Sequence, residues 1–243
     1  MKTINTVETF GFQVFSDELD KIQLNDEKAK TLNTISPNSY GISTKDSDFR
    51  KALIESDFLV LDGVYFALAS ILKNGKNIKE NNGPNVFKFF MKKLNENDGR
   101  VFFLGSSLDT LIKIEKRLKS EYPNITAGFF SPPFKSFFNT NENLDMIEAI
   151  NRFQPDIVFL GMTCPKQEKW AFEHKTKLKT KLICSVGAVF DWYAGTQKDI
   201  HPIWWKLRLA WLKRTIDRPE ILKRYPNIAI FFLHLLKNLI SNK

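Results

Sequence analysis

Apolar residues in this chain gather into short runs, and each run is followed by a stretch whose apolar positions recur at helical spacing. The runs lie at 29–34, 58–61, 101–104, 125–129, 157–160 and 182–186, and their length and β-branched or aromatic content predict strands. Helical spacing follows at 49–55, 65–72, 86–95, 109–121, 142–152 and 167–177. Runs such as F-L-V-L at 58–61 and V-F-F-L at 101–104 lack the alternation of a sheet with one wet face. Strands buried on both faces, alternating with helices, predict an α/β fold: a mostly parallel, Rossmann-like sheet covered by helices on both sides. No internal repeat or low-complexity linker interrupts the pattern.

In open parallel sheets ligands bind beyond the carboxyl ends of the strands, so the pattern itself supplies a set of candidate residues. They are Thr34 and Ser36, Asp62 and Gly63, Gly105 to Ser107, Gly128, Gly161 to Gln167, and Gly187 to Asp191. Glycine recurs just outside these strands, where a chain turns sharply or lets a ligand approach its backbone. Gly105-Ser106-Ser107, ahead of Asp109, offers backbone N–H groups to a phosphate, although it is neither a Walker loop nor a full dinucleotide fingerprint. Asp62 follows F-L-V-L directly and is either a general base at the sheet rim or an N-cap for the helix starting near Tyr65. Asp191, after V-G-A-V-F, has the same two readings, and Gln167 and Glu168 suit the first turn of a helix as well as a site.

Other polar groups narrow the chemistry. Asp46-Ser47-Asp48 has the D-x-D form of metal-dependent glycosyltransferases but follows Ser43-Thr44-Lys45 rather than an apolar strand, which predicts a solvated loop. His174, His201 and His234 stand far apart, and Cys164 has no histidine partner in view, so neither a metal site nor a cofactor is expected. Two cysteines and no apolar N-terminal segment fit a reducing, cytoplasmic setting, and no run is long enough to span a membrane.

Charge is unevenly placed. Of the formal net +9, the segment 196–243 carries +7, from ten Lys or Arg against three Asp or Glu. That segment also holds three of the five tryptophans, so we divide the chain into an α/β domain at 1–195 and a basic, aromatic appendage at 196–243. Interleaved apolar and basic residues at 204–214, then I-A-I-F-F-L-H-L-L-K-N-L-I at 228–240, suit a segment lying on an anionic membrane surface. The competing reading is that these residues form the last helices packed on the core. A nucleic-acid-binding module is the alternative from another class, but no helix-turn-helix, RNA-recognition or zinc pattern supports it. A nicotinamide-dependent oxidoreductase lacks its fingerprint.

Seven motifs, in order, resemble those of the WecG/TagA/CpsF glycosyltransferases: T-I-S-P-N-S-Y at 34–40, D-G at 62–63, V-F-F-L-G at 101–105, L-K-S-E-Y-P at 118–123, P-K-Q-E-K-W at 165–170, V-G-A-V-F-D-W-Y-A-G at 186–195 and W-L-K-R at 211–214. The resemblance implies an inverting, metal-independent transferase. It would move an N-acetylmannosamine-type sugar from a UDP donor to an undecaprenyl-pyrophosphate-linked sugar, at the inner face of the cell membrane. It implies that Asp62 is the catalytic base, that Thr34 and Gln167 assist it, and that Arg214 and Arg224 face the diphosphate. Ser36, Gly63, Asn85, Gly105, Ser106, Gly161, Gly187 and Asp191 are expected to line the substrates. The chain departs from the family pattern at Ser36, Glu80, Asn85, Pro132-Pro133-Phe134, Asp199, Ala210 and Ile221, where sugar and phosphate contacts are expected. The sequence leaves open the donor sugar, the linkage and a homo-oligomer.

Overall fold

The computed structural model describes residues 4–24, 28–196, 202–207, 210–217 and 219–241. An N-terminal hairpin, β1 (Thr6–Thr9) and β2 (Phe12–Phe15), precedes β3 (Lys30–Ile35), α1 (Pro37–Ser43), α2 (Ser47–Ile54), β4 (Phe58–Leu61), α3 (Val64–Asn74) and α4 (Gly83–Asn95). There follow β5 (Arg100–Gly105), α5 (Leu108–Glu121), β6 (Thr126–Phe130), α6 (Thr140–Phe153), β7 (Ile157–Gly161), α7 (Lys166–His174), β8 (Leu182–Ser185) and α8 (Val189–Tyr193). The remaining helices are α9 (Pro202–Lys206), α10 (Ala210–Asp217) and α11 (Tyr225–Ser241), with a 3-10 turn at Pro219–Arg224.

Strands β3 to β8 form one six-stranded sheet in the order β4-β3-β8-β7-β5-β6, and every neighbouring pair is parallel. The all-apolar runs are explained by this arrangement: β4, β7 and β8 are buried almost throughout because helices cover both faces. On one face Phe58, Val60, Phe103 and Phe159 pack with side chains of α4, α5 and α8. On the other, Leu59 and Leu61 meet α2 and α3, while Phe102, Leu104 and Leu160 meet α6 and α7. The predicted strands match to within one or two residues at each end.

Three elements depart from the sequence reading. The β1–β2 hairpin, Thr6–Thr9 with Phe12–Phe15, was not predicted, because its turn uses Phe10 at φ +55° before Gly11 at +78°. A phenylalanine is a poor left-handed residue, and packing of its ring against Tyr40, Phe66 and Phe231 holds it there. Helix α1 was also missed, although Ser36 with Pro37 is a clear start signal. The Ser36 side chain caps α1 in a capping box with Ser39, and Pro37 takes the first turn. The third is α11. One face packs on α1 and buries Phe231 and Leu235, while Tyr40 and His234 hydrogen-bond at 2.9 Å. Its opposite face exposes Phe232, Leu233, Leu236 and Ile240. Among the described residues no helix is long and apolar enough to cross a membrane.

Candidate functional site

The strand order lays the predicted residues along one rim. From β4 across to β5 the carboxyl ends present Asp62, Thr34, Gly187, Gly161 and Gly105 in turn. Register confirms the adjacency at both sides: Ile35 pairs with Leu61, Gly105 with Gly161, and the Gly187 N–H donates to Leu160 O at 3.1 Å.

At the β3–β4 side, Thr34 and Asp62 are both half-buried, and the Asp62 N–H donates to Ile35 O at 2.9 Å. Asp62 does not cap the next helix. The cap position of α3 belongs to Gly63, at φ 95° and ψ 142°, and no side-chain hydrogen bond closes that cap. This backbone region is open to glycine and strained for other residues. Helix α3 is an excursion from the rim: the chain leaves at Leu61 and returns beside it, with Glu80 bridging to Leu61 and the Asn81 N–H donating to Leu61 O. Glu80, a departure from the family pattern, thereby takes hydrogen bonds from the Gly63 N–H at 3.2 Å and from Asn82 Nδ2 at 3.3 Å. Its carboxyl fixes the Asp62–Gly63 turn from below. Asn85, in the first turn of α4, is exposed and donates its backbone N–H to Asn82 Oδ1.

The β7–β8 side is tighter. Gln167 is buried; its Oε1 accepts from the Gly187 N–H at 3.1 Å, and its Nε2 donates to Glu168 Oε1 at 2.8 Å. The side chain thus ties the P-K-Q-E turn after β7 to the V-G-A turn after β8. Glu168 is also buried, its Oε2 has no hydrogen-bond partner, and burial lifts its carboxyl to about 7. Burial, aided by Glu168, pushes the adjacent, partly buried Cys164 thiol well up, which favours its neutral form. Gly161 makes room for Phe190: a Cβ there would lie 2.3 Å from the Phe190 ring. Across the rim the Ser106 N–H donates to Gly161 O at 3.1 Å, and Ser106 O accepts from the Ser131 hydroxyl. Asp191 sits half-buried in the first turn of α8.

Strands lie about 4.8 Å apart, so the Gln167 amide over the end of β8 stands about 10 Å along the rim from the end of β4. The positive charge of Arg224, in the 3-10 turn of Pro219–Arg224, acts on Cys164 and partly offsets the effect of its burial. Ile221 lies in that turn, Arg214 lies in α10, and Asp199 falls outside the described residues. Asp46 caps α2 by accepting from the Phe49 N–H and pairs with Lys169 at 3.2 Å. The described residues contain no cluster of three or more His, Cys, Asp or Glu able to hold a metal ion.

Fold and rim together define a helix-covered parallel α/β protein with a carboxylate at one end of a glycine-lined binding edge and a buried Gln–Glu pair at the other. Residues 6–243 match the model of the glycosyl transferase WecG/TagA/CpsF family, and the chain belongs to that family. It is 28% identical over 224 residues to an N-acetylglucosaminyldiphosphoundecaprenol N-acetyl-beta-D-mannosaminyltransferase of Bacillus subtilis (strain 168), covering 92% of this chain and 85% of that protein. A Staphylococcus aureus (strain MRSA252) protein of the same name is 25% identical over 204 residues, covering 84% and 78%.

Proposed function

We propose that the chain is an inverting glycosyltransferase that moves an N-acetylmannosamine-type sugar from a UDP donor to a sugar carried on undecaprenyl diphosphate. It would do so in the assembly of a bacterial cell-surface polysaccharide, at the cytoplasmic face of the membrane. The position of Asp62 carries this reading: a half-buried carboxyl at the carboxyl-end rim of the sheet, beside the glycine that is the N-cap residue of α3. The names of the relatives support the acceptor and the transferred sugar.

In the proposed step the Asp62 carboxylate takes the proton from an acceptor hydroxyl. That oxygen bonds to the anomeric carbon of the donor, and the bond from that carbon to UDP breaks on the opposite face. UDP leaves with the electron pair, so the anomeric configuration inverts. Thr34, one strand over, orients the sugar. The N–H groups of Gly187 and Ser106 already donate within the protein. The charge growing on the diphosphate therefore falls to basic side chains, Arg224 and Arg214. Gln167 keeps one N–H for a substrate oxygen while its other bonds set the gap between the two turns.

Asp62→Asn keeps the size of the side chain and removes the base. The expected outcome is an unchanged thermal melt with turnover reduced at least a hundredfold, read by mass spectrometry with UDP-N-acetylmannosamine and a lipid-diphosphate N-acetylglucosamine acceptor. Near-normal turnover would remove Asp62 from the role.

A further inference from the structure

Large apolar side chains left in solvent are distributed unequally between the two ends of the sheet. At the carboxyl end, α3 exposes Tyr65, Leu68 and Leu72, and the loop after β6 leaves Phe134 fully exposed and Phe137 at 76%. At the amino end, the described connections at 55–57, 96–99, 122–125, 154–156 and 175–181 expose none; Ile54, at the close of α2, is the nearest case. A soluble surface scatters such residues singly, whereas a one-sided set marks a contact.

The loop that carries the two phenylalanines is held in place. Pro132 and Pro133 stiffen it, the Ser131 hydroxyl donates to Ser106 O at 2.8 Å, and Lys166 Nζ donates to Lys135 O at 2.7 Å. Lys166 also lies over the Phe138 ring at 4.6 Å, so Phe138 is tucked inward while Phe134 and Phe137 face out. On the other flank, Tyr65 of α3 meets Phe232 of α11 edge to face at 5.6 Å, which joins the α3 surface to the exposed side of the tail helix. The apolar elements therefore bracket the candidate site on both sides.

We propose that this rim faces an anionic bilayer, with Phe134 and Phe137 entering the head-group layer on one side of the site and the joined α3–α11 surface entering on the other. Charge selects this occupant over a second copy of the chain. The segment 196–243, which packs on this end through α1 and α11, carries +7, and that repels a like copy and attracts anionic lipid. The proposal rests on the reading of a lipid-linked acceptor and adds an orientation: the mouth of the site lies flat on the membrane that holds the acceptor, and the post-β6 loop is a contact distinct from the basic tail.

The test labels the full chain with an environment-sensitive fluorophore at Phe134→Cys, and separately at Lys179→Cys on the amino-end side, with the unmodified chain as background. Vesicles of phosphatidylglycerol and phosphatidylcholine should shift emission to the blue at position 134 and leave 179 unchanged, with no shift on pure phosphatidylcholine. No shift at 134, or equal shifts at both positions, overturns the proposal, as does a lipid-free shift at 134 that grows with protein concentration and reports self-association. This readout needs no turnover, so it is separable from failure of the proposed reaction. As a second arm, F134S/F137S should partition to anionic vesicles at least tenfold more weakly. The single variant F137S, outside the positions expected to contact substrate, should lose turnover on acceptor embedded in vesicles and keep it on a short-chain, water-soluble acceptor. Equal loss on both would assign the loop to the site itself and refute the membrane contact.

Discussion

Glu168 gives the sharpest physical prediction, because it is a carboxyl with 2% exposure that accepts from Gln167 Nε2, with the Cys164 thiol beside it and no cation in hydrogen-bond contact among the described residues. An exposed glutamate titrates near 4.5, and in the fold Glu168 titrates near 7 because burial disfavours its charged form. Between those values the folded state binds the proton and the unfolded chain does not. Stability is therefore fully present below pH 4.5 and is lost as pH rises through 7. At about 1.4 kcal/mol per pH unit, the loss from this group alone is about 3 kcal/mol. Glu168→Gln keeps an oxygen to accept from Gln167 Nε2 and has no proton to lose. Denaturant unfolding of both proteins from pH 4.5 to 8.5 should therefore give curves that diverge, with the variant gaining about 3 kcal/mol on the wild type across the range. His174, whose proton affinity burial lowers, titrates in both proteins and cancels in the difference. Parallel curves would refute the reasoning, since they would mean that the Glu168 site is solvated or its charge compensated.

Two further substitutions test the packing that frames the site. Gly41→Ala places a Cβ 2.1 Å from the backbone oxygen of Asn227, where α1 and α11 touch, so α11 must shift. We expect a loss of about 1–3 kcal/mol and early proteolytic release of a C-terminal fragment, and an undisturbed cleavage pattern would contradict the close contact. Gln167→Ala removes the donor to Glu168 while the Gly187 N–H keeps Leu160 O. The cost should be about 2 kcal/mol at pH 8, shrinking toward pH 5 as Glu168 is protonated; a pH-independent cost would place the loss elsewhere.

The sheet was legible because β4, β5, β7 and β8 are runs of four to six residues with few polar members, a composition that suits burial on both faces. The rim was legible by the same logic, since a strand ending in Asp-Gly or Gly-Met-Thr locates the carboxyl edge. The N-terminal hairpin was not, because its turn depends on Phe10 adopting a left-handed backbone. The energy for that comes from rings at Tyr40, Phe66 and Phe231, which lie far along the chain. Local propensity carries no trace of such a contact.

Glycine roles expose the same boundary within the site. At Gly63 the sequence marks a glycine beside a candidate base, and the backbone angles give the reason for a glycine there. At Gly161 the sequence suggests room for a ligand, but the room is taken by Phe190, nearly thirty residues downstream. The Gln167 amide is similar: helical position puts it at the opening of α7, yet its bond to Gly187 twenty residues later decides what it does. A strand end thus reveals which residues stand at an edge, while the third dimension decides which of them hold the edge together and which are left to meet a substrate. By that criterion Gln167 belongs mainly to the first group. Asp62, beside the glycine that takes the α3 cap position, is the residue we propose for proton transfer.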